Sequence, residues 1–233
     1  MPSELAVILP AAGRSTRFGG GRDKLLEILD GRAVIARAVG AFLSRSDVGQ
    51  VLLPTNQRER IEPPLRDASG GIDPRITFCA GGASRAESVL SALRLVPDRF
   101  EWVAVHDAAR PLVSPTLIDR TFAAARDRGA AVPALPVTLT VKQAHGPLPA
   151  RAERTIPRHT LWAMQTPQIM RRADLLAAYE SCPLPLGEVT DDTQLLELAG
   201  REVWLVEGEE PNLKITTATD MHLAELWLTE RSR

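Results

Sequence analysis

Short apolar runs alternate with longer amphipathic segments along the first part of the chain. Residues 5–9 are continuously apolar, which is typical of a strand that is covered on both faces of a parallel sheet. Similar runs predict further strands at 51–53, 76–79, 102–105 and 130–135. Apolar residues at helical spacing and capping signals predict helices at 34–43, 85–95 and 115–128. Strands that alternate with helices in this way predict an α/β fold with a mostly parallel sheet and right-handed crossovers.

The pattern changes after residue 136. Apolar residues alternate with polar ones from Val137 to Val141, and a turn at 145–147 sends the chain back. We therefore predict a β-arm over residues 137–160, outside the main sheet but within a single domain of residues 1–233. An exposed hairpin with one apolar face is marginal in water. The arm is therefore expected to pack on a second copy of the chain and to form a homodimer.

The last third of the chain contains shorter predicted elements. Helices are predicted at 171–179, at 191–199 with Thr190 as its cap, and from 217 to about 229. Strands are predicted at 203–206 and 214–216. No internal repeat interrupts the series, so the length of 233 residues suits one large α/β domain.

Composition and charge exclude several classes of function. The net charge of -1 leaves no basic face for nucleic acid. No apolar run approaches a membrane span, and the first strand follows without the charged head of a signal peptide. Cys79 and Cys182 lack metal-ligand spacing, so we expect both to be reduced and structural. These features predict a cytoplasmic protein with no nucleic-acid or membrane partner.

The stretch from residue 5 to residue 24 organises the chain. Its strand stops at Pro10 and gives way to small residues, glycines at 19–21 and isolated cations, a combination that fits a loop around a polyphosphate. It is not a Walker A loop, since the residue directly before Lys24 is not glycine. It is not a dinucleotide fingerprint either, since Ser15 replaces the second glycine. Taken alone, the stretch fits an ordinary basic surface turn better than a phosphate site.

Three polar clusters follow predicted strands at their carboxyl ends, where parallel sheets bind ligands. They are the opening loop, the turn at 81–88 and the run at 107–110. Asp107 lies beside His106 and Arg110, which makes it a candidate for a magnesium or hydroxyl contact. His106 alone is more often packed than catalytic, and motifs for a serine or cysteine nucleophile are missing. Cations, glycines and one or two carboxylates favour phosphoryl or nucleotidyl transfer.

Together these residues resemble the 2-C-methyl-D-erythritol 4-phosphate cytidylyltransferases of the non-mevalonate isoprenoid pathway. The resemblance is collinear over nearly the whole chain, and the HDAARP run at 106–111 is its most specific element. The other matching positions are PAAG at 10–13, Arg17, Lys24, GG at 81–82, Arg85, SV at 88–89, Thr140, Lys142, Arg158, TPQ at 166–168, TDD at 190–192 and NLKIT at 212–216. The positions that depart from the usual family residues are Ser15, Asp23, Leu25, Ala83 and Leu139.

The resemblance implies a three-layer Rossmann-like nucleotidyltransferase fold with a protruding β-arm. It also implies the reaction of CTP with methylerythritol phosphate to CDP-methylerythritol and pyrophosphate, with Mg²⁺. The implied catalytic residues are Arg17, Lys24 and Lys214. The implied nucleotide contacts are Ala11, Ala12, Gly13, Gly82 and Ser88. The implied contacts to the second substrate are Asp107, also a candidate metal ligand, Thr166 and, reaching across from a second subunit, Arg110, Thr140 and Arg158.

Three other interpretations stay open. A related enzyme could use ribitol 5-phosphate or another polyol phosphate, although Ala109, Lys142 and the TDD run at 190–192 favour methylerythritol phosphate. The altered opening loop also fits a nucleotide-binding protein that has lost catalysis, an interpretation opposed by the retained cations. A dinucleotide-dependent dehydrogenase is opposed by the missing glycine fingerprint.

Overall fold

A central sheet organises the fold of the computed structural model, which describes residues 4–13, 18–19 and 22–231. These residues contain twelve strands, of which eight form the central sheet. In chain order the strands are β1 (Leu5–Ile8), β2 (Ile28–Leu29), β3 (Arg32–Ala33), β4 (Val48–Pro54), β5 (Ile76–Cys79), β6 (Trp102–Val105), β7 (Ala130–Pro136), β8 (Val141–Ala144), β9 (Ala152–Ile156), β10 (Trp162–Met164), β11 (Gln168–Arg171) and β12 (Trp204–Glu207).

Seven α-helices connect or flank these strands within the same described residues. They are α1 (Val34–Leu43), α2 (Arg58–Ile61), α3 (Arg85–Leu93), α4 (Pro115–Arg128), α5 (Arg172–Glu180), α6 (Asp192–Leu198) and α7 (Ala218–Arg231). Over the part of the chain that is described, none of them has the length and apolar character needed to cross a bilayer.

The central sheet is parallel over the strands β1, β4, β5 and β6, which come first along the chain, as predicted. Its strand order is β10-β7-β11-β6-β1-β4-β5, and β12 also pairs with β7. β1 lies in the middle and is parallel to both β4 and β6. β11 is antiparallel to β6 and β7, and β10 is antiparallel to β7. The carboxyl ends of β1, β4, β5 and β6 therefore lie at one edge of the sheet.

Helices cover both faces of the sheet and produce three layers. Every residue of β1 is fully buried, and successive residues contribute to opposite apolar clusters, because side chains alternate across a strand. Leu5 and Val7 pack with residues of α1, α4 and α7. Ala6 and Ile8 pack with residues of α3, α5 and α6. The apolar run of β1 is therefore explained by burial on both faces of the sheet, as predicted. The predicted α/β fold is confirmed.

The helix boundaries follow from their caps. Ser84 accepts the N–H of Glu87 and the Glu87 carboxylate receives the N–H of Ser84, which completes the predicted capping box of α3. Ser114 caps α4 ahead of its proline, again as predicted. The predicted cap of α6 is wrong by one residue, because the side chain of Asp191 rather than that of Thr190 accepts the N–H of Gln194.

Two features of the later chain differ from the sequence predictions. The predicted strand at 214–216 is wrong: residues 208–217 form neither a strand nor a helix. Ile215 makes a single backbone bond to the sheet edge, to the Ala109 carbonyl at 2.8 Å, so no ladder forms. The antiparallel strands β10 and β11 were missed because three and four residues are too short to carry a clear pattern.

The segment between β7 and β10 forms an antiparallel hairpin apart from the central sheet. β8 and β9 pair only with each other, in register Val141 to Ile156. The apolar side chains of Leu139 and Leu148 are 78% and 87% exposed. The hairpin agrees with the predicted arm over 137–160, while its role in a dimer stays a prediction.

Candidate active site

A cavity of about 390 Å³ lies at the carboxyl ends of the parallel strands, where ligand sites in such sheets are expected. Four segments line it: the loop after β1, the turn after β5, the loop after β6 and the segment before α7. Their lining residues are Pro10, Ala12, Gly13, Phe18, Lys24, Leu25, Gly82, Ala83, Ser84, Arg85, Ser88, Asp107, Ala108, Ala109, Lys214 and Thr216.

Two glycines allow the turn after β5 to pack closely, Gly81 against the loop after β1 and Gly82 against α3. A Cβ atom at Gly81 would lie 2.4 Å from the Cβ of Ala12, and one at Gly82 would lie 2.3 Å from the Cβ of Glu87. Both distances are shorter than any van der Waals contact allows. These positions therefore need glycine for space, and Gly82 is one of the residues that line the cavity.

Side chains of α3 form hydrogen bonds to the backbone groups that precede the helix. Glu87 Oε2 accepts the N–H groups of Ala83 at 2.6 Å and Ser84 at 3.3 Å. Ser88 Oγ accepts the N–H of Gly82 at 3.0 Å and donates to the Ser84 carbonyl at 2.9 Å. Position 83, where the resemblance implies an acidic residue, is alanine, and the Glu87 carboxylate accepts the backbone N–H of Ala83. The turn is therefore rigidly shaped before any ligand arrives.

Asp107 is the carboxylate of the cavity, and three cations surround it. Lys214 Nζ lies 3.0 Å from Oδ2, and the Nε atoms of Arg85 and Arg110 each lie 3.4 Å from the carboxylate. Burial alone would raise the pKa of Asp107, but the charges of Lys214, Arg85 and Arg110 hold that pKa well below its usual range. Asp107 is therefore ionised at neutral pH.

Arg85 is held from behind by a second, fully buried carboxylate. Arg85 Nη1 lies 2.7 Å from Asp192 Oδ2, and Tyr179 donates its hydroxyl to Asp192 Oδ1 at 2.9 Å. Burial alone would lower the pKa of Arg85, but the charges of Asp192 and Asp107 raise it above its ordinary value. Burial, together with the charge of Asp192, raises the pKa of Tyr179. This network fixes the guanidinium at the cavity wall.

His106 is buried in a directional chain of hydrogen bonds. Its Nε2 lies 3.1 Å from the Arg110 carbonyl, which can only accept, so Nε2 carries the proton. Nδ1 then accepts from the Thr166 hydroxyl at 3.0 Å, and that hydroxyl accepts the N–H of Asp107 at 3.0 Å. Burial lowers the pKa of His106 to about 4. His106 is thus a satisfied neutral residue that positions its neighbours, with its ring 5.0 Å from that of Phe42.

Lys24 also lines the cavity. Its ammonium group donates to the Ile215 carbonyl at 2.9 Å, so it is tied to the segment that carries Lys214. Asp23 Oδ1 accepts the N–H of Leu25 at 3.1 Å, and Asp23 does not line the cavity. The Asp23 carboxylate thus bonds within the local turn, while Lys24 is one of the lining residues.

The structure brings together seven of the residues that the sequence assigned to a site: Ala12, Gly13, Lys24, Gly82, Ser88, Asp107 and Lys214. Ala11 lies behind the lining, in the apolar core, with its N–H on the Pro54 carbonyl at 2.9 Å. Thr166 is also buried behind the lining, where it meets His106. Arg17 lies outside the described residues.

Three predicted substrate contacts are not among the residues that line the cavity. Thr140 and Arg158 are exposed in the arm, where Arg158 donates to the Thr138 carbonyl, and neither lines the cavity of its own chain. Arg110 is only 9% exposed, and its Nη1 donates to the Asn212 carbonyl at 2.7 Å. The guanidinium of Arg110 is thus occupied within its own subunit, which favours a positioning role over a contact across a dimer.

Sequence reasoning assigned no role to four residues that shape the site. Arg85 was noted only as a matching position, and Asp192, Gln165 and Asn212 were given no side-chain function. The ion pair of Arg85 with Asp192 spans 107 positions and the contact of Gln165 with Glu209 spans 44. A signal was present for Arg85, which follows a cap at a ligand edge, but no local pattern records the long-range pairs.

The described residues offer no cluster of three metal-binding side chains. Asp107 does not fit the role of a magnesium ligand, because Arg85 faces Oδ1 while Lys214 and Arg110 face Oδ2. A divalent cation at either oxygen would face a positive charge at close range. No step is therefore assigned to a metal held by Asp107.

Comparison with known proteins gives consistent matches. The family model described as IspD, 2-C-methyl-D-erythritol 4-phosphate cytidylyltransferase, matches residues 5–230. The chain is 38% identical over 227 residues to the enzyme of that name from Synechococcus sp., which covers 97% of this chain and 96% of the relative. It is 38% identical over 223 residues to the one from Bacillus velezensis, with 95% and 94% covered.

Solved structures agree with the sequence relatives. The crystal structure of 4-diphosphocytidyl-2C-methyl-D-erythritol synthase from Anaerococcus prevotii is similar, with a TM-score of 0.80 and 27% identity. The similarity covers 97% of this chain and 98% of that one. The Rossmann-like arrangement of sheet and helices is therefore shared over 97% of this chain.

Proposed function

The chain belongs to the 2-C-methyl-D-erythritol 4-phosphate cytidylyltransferase family, and from this premise we propose how its cavity works. It transfers a cytidylyl group from CTP to 2-C-methyl-D-erythritol 4-phosphate and releases pyrophosphate, a step of isoprenoid biosynthesis. The observation that carries the proposal is the lining of the cavity, in which Lys24, Lys214 and Arg85 lie together with Gly82 and with Asp107 as the carboxylate.

The nucleotide base and ribose are placed at the glycine turn. Gly82 and Ala12 lie in close contact with their neighbours and present little side chain, so a flat ring can lie against the backbone. The rigid Ser88 and Glu87 hydrogen bonds keep this surface in one shape. Because Gly82 and Ala12 are small, the shape of this part of the cavity favours the flat ring of the nucleotide base.

The triphosphate is placed at Lys24 and Lys214. Arg17, the third cation that the family resemblance assigns to the triphosphate, lies outside the described residues. A phosphate oxygen of the second substrate attacks the α-phosphorus in line, the bond to the β-phosphate oxygen breaks, and pyrophosphate leaves. Charge on the phosphoryl oxygens is stabilised by fixed cations in a site of this kind. Lys24 and Lys214 supply that charge from opposite segments, which are tied together by the bond from Lys24 to the Ile215 carbonyl.

Asp107 orients Lys214 and contacts the second substrate. Although burial opposes ionisation, the surrounding cations keep the pKa of Asp107 below its usual range, so its oxygens accept hydrogen bonds at neutral pH. A polyol hydroxyl is a suitable donor. Thr166 acts from behind, because its hydroxyl accepts the N–H of Asp107.

Magnesium enters this scheme with the triphosphate. Mg²⁺ commonly keeps several waters and binds substrate phosphates with few protein ligands, and the cations around Asp107 argue against a ligand role for that residue. When bound to CTP, the ion would neutralise charge on the phosphates. The side chains of this chain would then act on the complex.

Each protomer is a single domain, and its arm contacts a second subunit. Leu139 and Leu148 are exposed on it, and an isolated hairpin of this kind is marginal in water. Thr140 and Arg158 are then available to a second active site.

The proposal is tested with a pyrophosphate-release assay on the full chain, in which each of CTP, UTP, ATP and GTP is offered against methylerythritol 4-phosphate and against ribitol 5-phosphate and other polyol phosphates. Release is expected with CTP and Mg²⁺, and excess chelator should abolish it. Preference for another triphosphate would contradict the assignment of the base pocket. Tight CTP binding without release with any polyol phosphate would instead support a nucleotide-binding protein that has lost catalysis.

A further inference from the structure

The segment that carries Lys214 has no strand or helix to hold it. Residues 208–217 are irregular, yet Lys214 Nζ is placed 3.0 Å from Asp107. Backbone bonds from this segment to the rest of the chain are few, among them Gly208 to Ala134 at 2.8 Å and Ile215 to Ala109 at 2.8 Å. The position of the lysine must therefore depend on side chains that bind the segment.

Gln165 binds this segment as a strand would. Its Nε2 donates to the Glu209 carbonyl at 2.8 Å, and its Oε1 accepts the Glu209 N–H at 3.1 Å. The side-chain amide thus satisfies both polar groups of one residue. Gln165 is 5% exposed, and its own N–H donates to the Pro133 carbonyl at 2.7 Å. The amide is therefore anchored to β7 and held away from water.

Asn212 extends this contact toward Asp107. Its Nδ2 donates to the Thr166 carbonyl at 2.8 Å and lies 3.4 Å from Gln165 Oε1. Its carbonyl accepts from Arg110 Nη1 at 2.7 Å. Asn212 is fully buried and lies two residues before Lys214. Gln165 and Asn212 together therefore set where the chain enters the cavity.

Gly208 makes room for the amide of Gln165. A Cβ atom at this position would lie 2.7 Å from Gln165 Oε1 and 2.9 Å from the Ala134 carbonyl oxygen. A larger residue would displace the amide or the segment. Residue 208 and residue 165 are therefore matched to each other.

We propose that Gln165 is a positioning residue that sets the place of Lys214 by pairing its side-chain amide with Glu209. The inference rests on the proposed function, since it takes Lys214 as a group that contacts the transferring phosphate. Gln165 directly follows β10, the strand on which the arm returns to the sheet. The same side chain thus joins the base of the arm to the lysine of the cavity.

The test is a double-mutant cycle between Gln165→Met and Lys214→Met, read by steady-state release of pyrophosphate. Methionine keeps the length of glutamine and loses both hydrogen bonds. In the parental background Gln165→Met should lower kcat about tenfold and leave the KM for CTP within about twofold. In the Lys214→Met background the same change should alter kcat by less than about twofold.

Gln50→Met is the matched control. Gln50 also makes a partly buried side-chain hydrogen bond, to Thr77 Oγ1 at 3.2 Å, but it lies away from the cavity lining. It should leave kcat unchanged in both backgrounds. If Gln165→Met does not fold, Gly208→Ala perturbs the same contact from the other side and completes the same cycle.

The outcomes separate the two proposals. An equal loss of kcat from Gln165→Met in both backgrounds would show a purely structural effect and overturn the positioning role. A parental protein that releases no pyrophosphate would overturn the proposed function and with it the role of Gln165. Loss confined to the background that retains Lys214 supports the inference.

Discussion

Three cations face the carboxylate of Asp107, and at the residue scale their arrangement decides its chemistry. Burial alone would raise the pKa of Asp107, yet the neighbouring charges keep that pKa below its usual range. The group therefore stays ionised at neutral pH and cannot act as a general acid. Orienting Lys214 and accepting a substrate hydroxyl are the roles that this charge state allows.

Replacing Lys24 by alanine should lower kcat about a hundredfold, equivalent to about 3 kcal/mol of transition-state stabilisation. The reason is the loss of one fixed cation at the triphosphate. Arg60→Ala removes an exposed cation outside the cavity and serves as the control. Steady-state pyrophosphate release measures both, and a Lys24 variant within a few-fold of the parent would remove Lys24 from the mechanism.

His106 makes the stability depend on pH. Burial lowers the pKa of His106 from 6.5 to about 4 in the folded chain, so between these values the unfolded chain binds a proton that the folded chain does not. The free energy of unfolding should therefore fall as the pH drops from 6.5 toward 4, by up to about 3 kcal/mol from this residue.

Urea unfolding at pH 7, 6, 5 and 4.5 measures that loss. His222→Gln, a change at an exposed histidine, is the control and should retain the parental slope. The assignment fails if stability is flat across the interval. It also fails if a folded His106→Asn variant retains the full slope.

Residues of the site differ in how far the sequence could reveal them. Lys24 and Asp107 were found because they lie in motifs at strand ends, whereas Lys214 was assigned only through the family resemblance of residues 212–216. The pairing of Arg85 with Asp192 and of Gln165 with Glu209 was not found, because those partners are separated by 107 and 44 positions. The roles of these four residues depend on how deeply each is buried and on which residue it contacts, and both properties are set only when the chain folds.

At the scale of elements, the turn after β5 depends on the absence of side chains. A Cβ atom at Gly82 would lie 2.3 Å from Glu87 Cβ and 2.9 Å from the Glu87 carbonyl carbon. Gly82→Ala should therefore destabilise the fold by about 1–3 kcal/mol and weaken CTP binding.

Thermal unfolding and CTP titration calorimetry check the turn. Gly187→Ala is the matched control, since a Cβ atom there meets nothing within 4 Å. The account of the turn is contradicted if both alanine variants bind CTP as the parent does.

Elements with strong periodicity or clear caps were predictable, and short or irregular ones were not. α1 and α4 were predicted with the observed limits because apolar spacing and capping residues act locally. β10 and β11 contain three and four residues and are stabilised by pairing with distant strands. The segment around Lys214 has the apolar and β-branched residues of a strand, but side chains hold it where no neighbouring strand is available.

At the scale of the whole molecule, the arm is expected to complete the site of a second subunit. Leu139→Asp with Leu148→Asp should abolish dimerisation, because both exposed side chains are expected at the interface, and activity should fall at least about tenfold.

Light scattering coupled to size exclusion, together with the release assay, measures both effects. Leu226→Asp, at an exposed leucine of α7, is the control for surface charge. A fully active monomer would reject a shared active site.

The choice of the second substrate is the central claim, and one competition measures it. The full chain is given CTP, Mg²⁺ and equal amounts of methylerythritol 4-phosphate and ribitol 5-phosphate, and the CDP products are quantified by mass spectrometry. The account predicts that CDP-methylerythritol is the main product. Predominant CDP-ribitol would contradict it.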